Sequence, residues 1–299
     1  MDKNLKPAIS VVMCCYNAEK YIAETIESVL NQTYTNFEFI IWNDGSNDGT
    51  EQIVKSYKDH RIRYFYHNNL GLGNALNLAC SEVRTEYIAR IDADDICMAD
   101  RLDMQLHFLK SHPLYVLVSS SVYYIDEEGS ILGRSFPYTW NHVLKNKLLL
   151  GSPISHPAVM FKRDTYLQTG GYLGVLGGED RVLFAKMSRY GKIKNLADPL
   201  IKYRIIYFSL SHRQHGSPYS NILEEYRKKM INDDIVSLED IVLHNKIYNL
   251  RKLEKCTSAE IYSKKYEEHC FSILKKIIGE KCAQYVVLII KNIYGIILG

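Results

Sequence analysis

Two aspartates follow a buried apolar run in the first third of the chain. Tyr87 to Ile91 has the continuous pattern of a buried strand, and Asp92-Ala93-Asp94 comes directly after it. This spacing can place two carboxylates on the same side of an extended segment. Such oxygen ligands suit a hard divalent cation, Mn²⁺ or Mg²⁺, which can neutralise the charge of a diphosphate. A solvated acidic turn is the alternative that the spacing alone leaves open.

Acidic residues also occur at two other element boundaries. Asp44 follows an apolar run, Phe37 to Trp42, and its carboxylate can accept a hydrogen bond from the imide N–H of a nucleobase. The neighbouring asparagine and serine are equally typical of an ordinary turn. Glu179-Asp180 opens a predicted helix, where a carboxylate can act as a general base toward a hydroxyl. Acidic residues also favour helix N-termini because of the helix dipole, so both interpretations stay open.

The elements that position these side chains are predicted to alternate between strands and helices. Apolar and β-branched runs predict strands at residues 8–15, 37–42, 61–67 and 87–91, and helical spacing predicts helices between them. This alternation indicates an α/β fold with a largely parallel sheet that helices cover on both faces. Because ligands bind beyond the carboxyl ends of the strands in such sheets, Asp44 and Asp92-Ala93-Asp94 are expected at one crevice.

After residue 112 the pattern of the sequence changes. Residues 114–125 and 131–132 predict a β-hairpin rather than another strand–helix unit. Loops rich in glycine and proline follow, and a helix is predicted over residues 181–190. From about residue 216 the chain is rich in Lys, Glu and Tyr and helical in pattern. These features predict a main domain at residues 1–215 and a helical C-terminal segment at residues 216–299.

The end of the C-terminal segment is apolar but interrupted. Residues 286–290 and 293–298 are apolar runs separated by Lys291-Asn292, which makes them too short for a spanning helix. One interpretation is an amphipathic helix at a membrane surface. The other is a helix that packs on its own domain or on a second subunit.

Composition narrows the class of protein and its compartment. The formal net charge is +3, from 37 basic and 34 acidic residues among 299, which gives no support for nucleic acid as a partner. The seven cysteines include no CxxC pair and predict neither a disulfide framework nor a zinc site. The N-terminus lacks the long apolar core of a signal peptide. We therefore expect a cytoplasmic protein, with peripheral contact at the inner face of the cytoplasmic membrane as an option for the tail.

Four motifs occur in an order that is typical of one enzyme family. They read, in chain order, SVVMCCYNAEKYIAETIESVLNQTY, FEFIIWNDGSNDGT, TEYIARIDADDICMADRL and GGED. Over about residues 8–205 this order strongly resembles the family 2 glycosyltransferases, and the combination is far more specific than any single motif. The resemblance implies an inverting enzyme of the GT-A fold, a Rossmann-like, mixed and largely parallel sheet flanked by helices. The relatives that it suggests build bacterial capsule, exopolysaccharide or O-antigen.

The resemblance implies roles for residues on the side of the sugar donor. Cys14 and Tyr16 match the loop that contacts uracil, and Asp44 matches the residue that binds the base imide. Asp92 is implied near the ribose, and Asp94 is implied as the ligand of Mn²⁺ or Mg²⁺, with Asp92 as a further ligand. The residues expected to bind the nucleotide sugar are Cys14, Tyr16, Asn17, Asp44, Asp92, Ala93 and Asp94.

On the acceptor side the resemblance implies a catalytic base. Asp180, in GGED, matches the residue that deprotonates the acceptor hydroxyl, which then attacks the anomeric carbon opposite the diphosphate and inverts its configuration. Glu179 and His156 are expected on the acceptor side, although a structural histidine fits the second position about equally well.

The chain departs from the family pattern near the donor phosphates. Many relatives carry a histidine after a Tyr-Arg pair, whereas Ile205-Ile206 follows Tyr203-Arg204 here. His212 or His215, in the next loop, are the candidates to replace it.

Taken with the resemblance, the sequence predicts transfer of a hexosyl or N-acetylhexosaminyl group from a UDP-sugar to a hydroxyl of a glycan or lipid-linked acceptor. A nucleotidyltransferase is one alternative, but it needs a phosphate loop rich in glycine and lysine, and residues 8–20 contain none. A catalytically idle subunit that binds a nucleotide or sugar is the other alternative. Retention of Asp94 and Asp180 argues against it, and the missing histidine keeps it open.

Overall fold

A computed structural model describes residues 6–148, 151–174 and 178–206 of the protein. Strands and helices alternate at first, as predicted: β1 (Ile9–Cys15), α1 (Ile22–Leu30), β2 (Phe37–Asn43), α2 (Thr50–Ser56), β3 (Ile62–Tyr66), α3 (Leu72–Ser81) and β4 (Tyr87–Asp92). The order then changes: β5 (Ile96–Cys97), α4 (Arg101–Ser111), β6 (Tyr115–Ile125), β7 (Ile131–Arg134), α5 (Asn141–Leu148), a 3₁₀ turn (His156–Ala158), β8 (Met160–Lys162), α6 (Arg163–Gln168), α7 (Glu179–Tyr190) and β9 (Lys192–Arg204). The predicted boundary at 215/216, the C-terminal tail, His212 and His215 lie outside the described residues.

The strands form one mixed sheet in the order β3-β2-β1-β4-β8-β6-β9-β5, with β7 paired to β6. The first four strands are parallel, and β8 joins them to the second half by antiparallel pairing on both of its edges. β6 and β9 form a long parallel ladder, and β6 and β7 form the antiparallel hairpin that the sequence predicts. The mixed, largely parallel sheet flanked by helices is thus confirmed.

Strand register aligns the carboxyl ends of the first strands. Cys14 on β1 pairs with Trp42 on β2 and with Asp92 on β4, while Cys15 pairs with Asn43. The segments after these three strands therefore emerge side by side at one edge of the sheet. This is the edge at which a parallel sheet places its ligands.

The two faces of the sheet carry separate apolar cores. Every residue of β1 is buried, and alternate side chains enter opposite cores because successive residues of a strand face opposite sides. Val12 and Cys14 pack in the core that also contains α3 and α7. Val11 and Met13 pack in the core that contains α1 and α4. Helices on both faces therefore hold the strand ends in place. Among the described helices, none combines the length and apolar character that crossing a bilayer requires.

Candidate functional site

Three carboxylates converge where β4 ends. The strand stops at Asp92, and Ala93-Asp94 forms a turn rather than the extended segment that the spacing predicts. One carboxylate oxygen each from Asp92, Asp94 and Asp95 lies within 4.8 Å of the others. The turn, and not the strand pleat, brings these side chains together, and it adds Asp95 to the two aspartates that sequence spacing selects.

Asp95 carries a buried oxygen that no described group satisfies. Its side chain is only 1% exposed, and its Oδ1 accepts a 2.8 Å hydrogen bond from the backbone N–H of Arg204. Oδ2 has no hydrogen-bond partner within the described part of the protein. A buried carboxylate oxygen without a partner is costly, and a divalent cation is a natural partner for it. The acidic trio, defined as Asp92, Asp94 and Asp95, therefore fits Mg²⁺ or Mn²⁺.

Arg90 lies beneath the acidic trio and holds Asp92. This arginine is 2% exposed, and its Nη1 donates to Asp92 Oδ2 at 2.6 Å while Nη2 donates to the other carboxylate oxygen. A fork-shaped contact of this kind fixes the orientation of a carboxylate. It also offsets one of the three negative charges. Asp92 can still offer a remaining lone pair to a cation. No arginine in the described part of the chain forms such a two-pronged contact with Asp94 or Asp95.

Arg204 fixes the turn that carries the acidic trio. Its Nε donates to the carbonyl oxygen of Asp94 at 2.9 Å, and its Nη1 donates to the carbonyls of Asp126 and Glu127 at 3.1 and 2.8 Å. Its Nη2 donates to the Glu24 carboxylate, and the guanidinium lies over the Tyr21 ring. The end of β9 is thereby joined to the acidic turn, to the β6–β7 turn and to α1.

Two members of the acidic trio, Asp94 and Asp95, have raised pKa values. Burial, followed by the neighbouring Asp92 charge, raises the pKa of Asp94 to about 6. Burial and the charges of Asp94 and Asp92 also raise the pKa of Asp95 well above its usual range. A bound cation would reverse this effect, because it favours the charged carboxylates.

These raised pKa values predict that cation binding depends on pH. Below about pH 6 Asp94 carries a proton that the cation has to displace. The pKa of Asp94 is higher in the folded than in the unfolded protein. The metal-free protein is therefore expected to lose stability as pH rises from about 4 to about 6. The rise in melting temperature with Mg²⁺ should therefore be larger at pH 7.5 than at pH 5. An equal rise at both pH values would contradict this assignment, and Asp94→Asn should remove most of the difference.

The loop after β2 is anchored through Asp44. Both of its carboxylate oxygens accept backbone hydrogen bonds, Oδ1 from Leu70 at 2.9 Å and Oδ2 from Gly71 at 3.0 Å. Gly71 has φ of 81°, in the left-handed region that favours glycine. Asp44 is 4% exposed. Because its carboxylate accepts these two hydrogen bonds, it orders the start of α3 beside the strand ends. Each oxygen retains a second lone pair, and the expected contact with a base imide stays a prediction.

The loop after β1 is tied to the loop after β2. Asn17 adopts φ of 49°, its N–H donates to Ser46 Oγ at 2.9 Å, and its side-chain oxygen accepts from Asn47 N–H at 3.0 Å. Tyr16, beside it, is 52% exposed, and its expected contact with uracil stays a prediction. Cys14 is buried, and burial raises its pKa, which keeps the thiol neutral. Cys14 therefore shapes the site by packing rather than by charge.

Asp180 lies in the first turn of α7, as the sequence predicts. The helix starts at Glu179, directly after Gly178, whose φ of 91° lies in the left-handed region. Ser152 Oγ donates to Asp180 Oδ2 at 3.2 Å, which joins the helix start to the loop before the 3₁₀ turn. Glu179 is 7% exposed, whereas Asp180 is half-buried. Asp180 is thus the more accessible of this acidic pair.

His156 forms a hydrogen bond with Tyr172. The distance between its Nε2 and the tyrosine Oη is 2.9 Å, and its ring meets Phe184 edge-on at 5.7 Å. Burial and the nearby Arg90 charge lower the pKa of His156 well below its usual range, so the imidazole is neutral. Both ring contacts fit a structural histidine, and a role toward the acceptor stays a prediction.

Arg90 lies within electrostatic range of both the acidic trio and the His156–Tyr172 pair. Its charge acts on Asp92 and Asp95 on one side and on His156 and Tyr172 on the other. Sequence reasoning missed this residue, although one signal was present, since Arg90 is a charged residue inside an otherwise apolar strand. Such a residue is rarely buried without a charged partner.

Most residues of this site lie in the part of the chain that matches the sequence profile of a known family. The profile described as "Glycosyl transferase family 2" matches residues 10–169, which include all of β1 except Ile9, together with β2, β4 and the acidic trio. The chain belongs to glycosyltransferase family 2. This confirms the family that the four ordered motifs indicate.

Several named members of the family align with this chain. It is 36% identical over 176 residues to the glycosyltransferase EpsE of Bacillus subtilis, covering 58% of this chain and 62% of that protein. It is 32% identical over 214 residues to the O-antigen biosynthesis glycosyltransferase WbnJ of Escherichia coli, covering 69% and 82%. An uncharacterised Haemophilus influenzae glycosyltransferase is 30% identical over 283 residues, covering 86% and 85%. The chain thus spans less than two thirds of EpsE but most of the other two relatives.

Solved structures confirm the fold. The glycosyltransferase TarS of Staphylococcus aureus, residues 1–349 in complex with UDP-GlcNAc, superposes with a TM-score of 0.63 at 17% identity over 91% of this chain and 81% of that one. The complex of the same protein with UDP gives 0.59 at 20% identity, over 82% and 71%. At such low identity the likeness shows a GT-A-like glycosyltransferase fold and no more.

Proposed function

We propose that this chain is a metal-dependent, inverting glycosyltransferase that transfers a sugar from a UDP-sugar to a hydroxyl group. The observation that carries the proposal is the acidic trio at the end of β4, with an unpartnered buried oxygen on Asp95. Ligands of open α/β sheets bind outside the carboxyl ends of the strands, which supports a nucleotide diphosphate at this edge. Membership of the family favours glycosyl transfer over the alternative of nucleotidyl transfer.

The donor is inferred from the strand-end loops and from the complexes of a structural neighbour. Tyr16 offers an exposed ring beside the first loop, and Asp44 offers carboxylate lone pairs at the second. The TarS structures contain UDP and UDP-GlcNAc, which supports a uridine nucleotide here. We assign base binding to Cys14, Tyr16, Asn17 and Asp44, and the ribose to Asp92 and Ala93.

The acidic trio supplies the carboxylates that would hold the metal ion at the donor site. Asp94 and Asp95 would hold Mn²⁺ or Mg²⁺, with Asp92 as a further ligand oriented by Arg90. The cation, when bound, neutralises the diphosphate as it leaves. Arg204 keeps the Asp94 carbonyl and the Asp95 carboxylate in place, so the site does not have to reorganise during the reaction.

Asp180 is assigned as the base. The acceptor oxygen forms a bond to the anomeric carbon from the side opposite the diphosphate, and the bond from that carbon to the phosphate oxygen breaks. The bonding electrons leave with the diphosphate, and the hydroxyl proton moves to Asp180. The Ser152 hydrogen bond orients the carboxylate for this transfer. Attack from the opposite side inverts the anomeric configuration.

The acceptor class is inferred from the named relatives. WbnJ is named for O-antigen biosynthesis, and a chondroitin synthase of Escherichia coli is 29% identical over 236 residues, covering 78% of this chain and 33% of that protein. Both names refer to the building of polysaccharides. We therefore propose a glycan or a lipid-linked acceptor, with Glu179 and His156 on the acceptor side, in the synthesis of a bacterial surface polysaccharide at the cytoplasmic side of the membrane.

Nucleotide binding tests the donor assignment without knowledge of the acceptor. Melting temperatures are measured with UDP, GDP, CDP, ADP and dTDP, each with and without Mn²⁺. A ligand at about 100 times its dissociation constant stabilises the native state by about 2.7 kcal/mol. We expect a metal-dependent rise with UDP alone. If no nucleotide raises the melting temperature, the proposed donor site is wrong.

A further inference from the structure

Four outward-facing side chains form an exposed strip after β6. From Gly133 to Trp140 exposure alternates residue by residue, so Arg134, Phe136, Tyr138 and Trp140 all face outward. Phe136 is 88% exposed, Trp140 71% and Tyr138 51%. We call these four residues the aromatic strip. Exposed aromatic residues at three alternate positions are unusual on a protein surface and point to an interaction.

The aromatic strip is held rigidly by its inward-facing side. Ser135 Oγ accepts a hydrogen bond from Val122 N–H at 2.8 Å, and Ser121 Oγ donates to the Ser135 carbonyl at 2.6 Å. Farther along, Asn195 Nδ2 donates to the carbonyl of Tyr138 at 3.0 Å. The exposed aromatic rings are therefore presented by an ordered backbone that is fastened to β6 and β9.

Cations accompany the aromatic rings. The Arg134 guanidinium lies 5.9 Å from the centre of the Phe136 ring, and Lys147 Nζ lies 5.2 Å from that of Tyr138. A lysine or arginine beside an exposed ring is the arrangement that suits a boundary between apolar and charged material.

A basic groove continues from the end of the strip. Asn141, the residue after Trp140, lines a groove of about 520 Å³ whose other polar lining includes four cationic side chains: Lys145, Lys162, Arg189 and Lys192. None of the described residues that line this groove is acidic. Leu114 and Tyr190, also on its lining, are 69% and 52% exposed. The groove thus repeats the mixture of apolar and cationic groups found on the strip.

We propose that the aromatic strip and the basic groove form a docking face for an anionic lipid bilayer. Aromatic side chains insert at the level of the headgroups, and lysine and arginine pair with lipid phosphates. The protruding rings favour this occupant over a soluble glycan, because a sugar site is concave and buries its ligand. The cationic groove favours it over a second copy of the chain, which would bring like charges together.

All the residues of this face belong to the described part of the chain. It does not depend on the proposed transfer reaction, because lipid binding requires neither the acidic trio nor a nucleotide. A lipid-linked acceptor would nevertheless be presented to a protein docked in this way.

Co-sedimentation of the full chain with vesicles tests the proposal. Vesicles of phosphatidylcholine with phosphatidylglycerol are compared with vesicles of phosphatidylcholine alone. We expect binding to the anionic vesicles only. The double variant Phe136→Ser, Trp140→Ser should lower the partition coefficient at least about tenfold, because it removes two insertable rings. Lys145→Glu with Lys192→Glu should lower it to a similar degree and make it less sensitive to salt.

Matched controls lie at the β3 end of the sheet, several strands away from β6 and β9. Tyr66→Ser removes a ring of 51% exposure from β3, and Lys55→Glu with Lys58→Glu reverses two exposed charges on and after α2. The controls should bind anionic vesicles like the parent protein, with melting temperatures confirming that all variants fold. Unchanged binding by the Phe136/Trp140 variant would overturn the proposal, because another part of the chain would then bind the vesicles. Equal binding to both kinds of vesicle, or a parent dimer that the Phe136/Trp140 variant dissociates, would overturn it as well.

Discussion

Asp94→Asn is expected to lower metal-dependent sugar transfer by about 10³-fold at saturating donor. Asparagine keeps the shape of the side chain and one oxygen ligand but removes the charge that holds a divalent cation. Stabilisation of the leaving diphosphate by a metal contributes several kcal/mol to catalysis, and each 1.36 kcal/mol corresponds to a factor of ten in rate. The measurement is the initial rate of UDP release as a function of Mn²⁺ concentration.

The matched control for this variant is Asp103→Asn. Asp103 is an exposed aspartate in the first turn of α4, a few residues beyond the acidic trio, and it is not a member of that trio. It should retain the parent's rate and Mn²⁺ dependence. A parent-like metal dependence in Asp94→Asn would remove Asp94 from the list of metal ligands.

Asp180→Asn is expected to lower transfer by about 10²- to 10⁴-fold while nucleotide binding is kept. A general base acts only in the chemical step, so its loss lowers kcat and leaves the affinity for the donor unchanged. Stabilisation by UDP and Mn²⁺ should therefore equal that of the parent protein. This separation distinguishes Asp180 from Asp94, whose replacement weakens metal and donor binding together.

Asp164→Asn is the matched control for the base. Asp164 is also an aspartate in the first turn of a helix, α6, and it is exposed. It has the same relation to a helix dipole without lying beside Ser152, so its replacement should leave transfer unchanged. Normal transfer by Asp180→Asn would place the base elsewhere. A loss of transfer in both variants would indicate a helix-dipole effect and contradict the assignment.

The parts of the site that local sequence signals predict are the strand ends. Mainly apolar runs predict β1, β2 and β4, and each run stops where polar residues begin, which places Asp44 and Asp92 at one edge of the sheet. The start of α7 is similarly marked by Gly178 and the acidic pair that follows it. Each of these signals is made by residues that are close together in the sequence. Periodicity and turn chemistry are therefore sufficient to find it.

The parts that sequence reasoning missed depend on long-range contacts or on departures from regular geometry. Alternation along a strand assigns Asp95 to the face opposite Asp94, whereas the turn at Ala93-Asp94 brings it back into the acidic trio. Arg204 reaches Asp94 and Glu24 from distant positions in the chain, and no local pattern encodes such pairs.

Strand β9 was also missed, for a local reason. Pro199 lies in the middle of Lys192–Arg204, and proline argues against a strand because it cannot donate a ladder hydrogen bond. The structure accommodates it at a register shift opposite Ser121 on β6. The irregularity therefore preserves a long strand that carries Arg204 to the acidic turn.

Turnover of a UDP-sugar is the decisive measurement for the proposed enzyme. UDP release is measured with UDP-glucose, UDP-galactose, UDP-GlcNAc, UDP-GalNAc and UDP-glucuronic acid, with Mn²⁺ or with a chelator, and with simple glycosides and a polyprenyl-phosphate-linked sugar as acceptors. We predict that at least one donor is turned over, that the chelator stops the reaction and that Asp180→Asn does not support it. Metal-dependent binding of UDP without turnover of any of these donors would contradict the proposed transfer activity and favour an idle nucleotide-binding subunit.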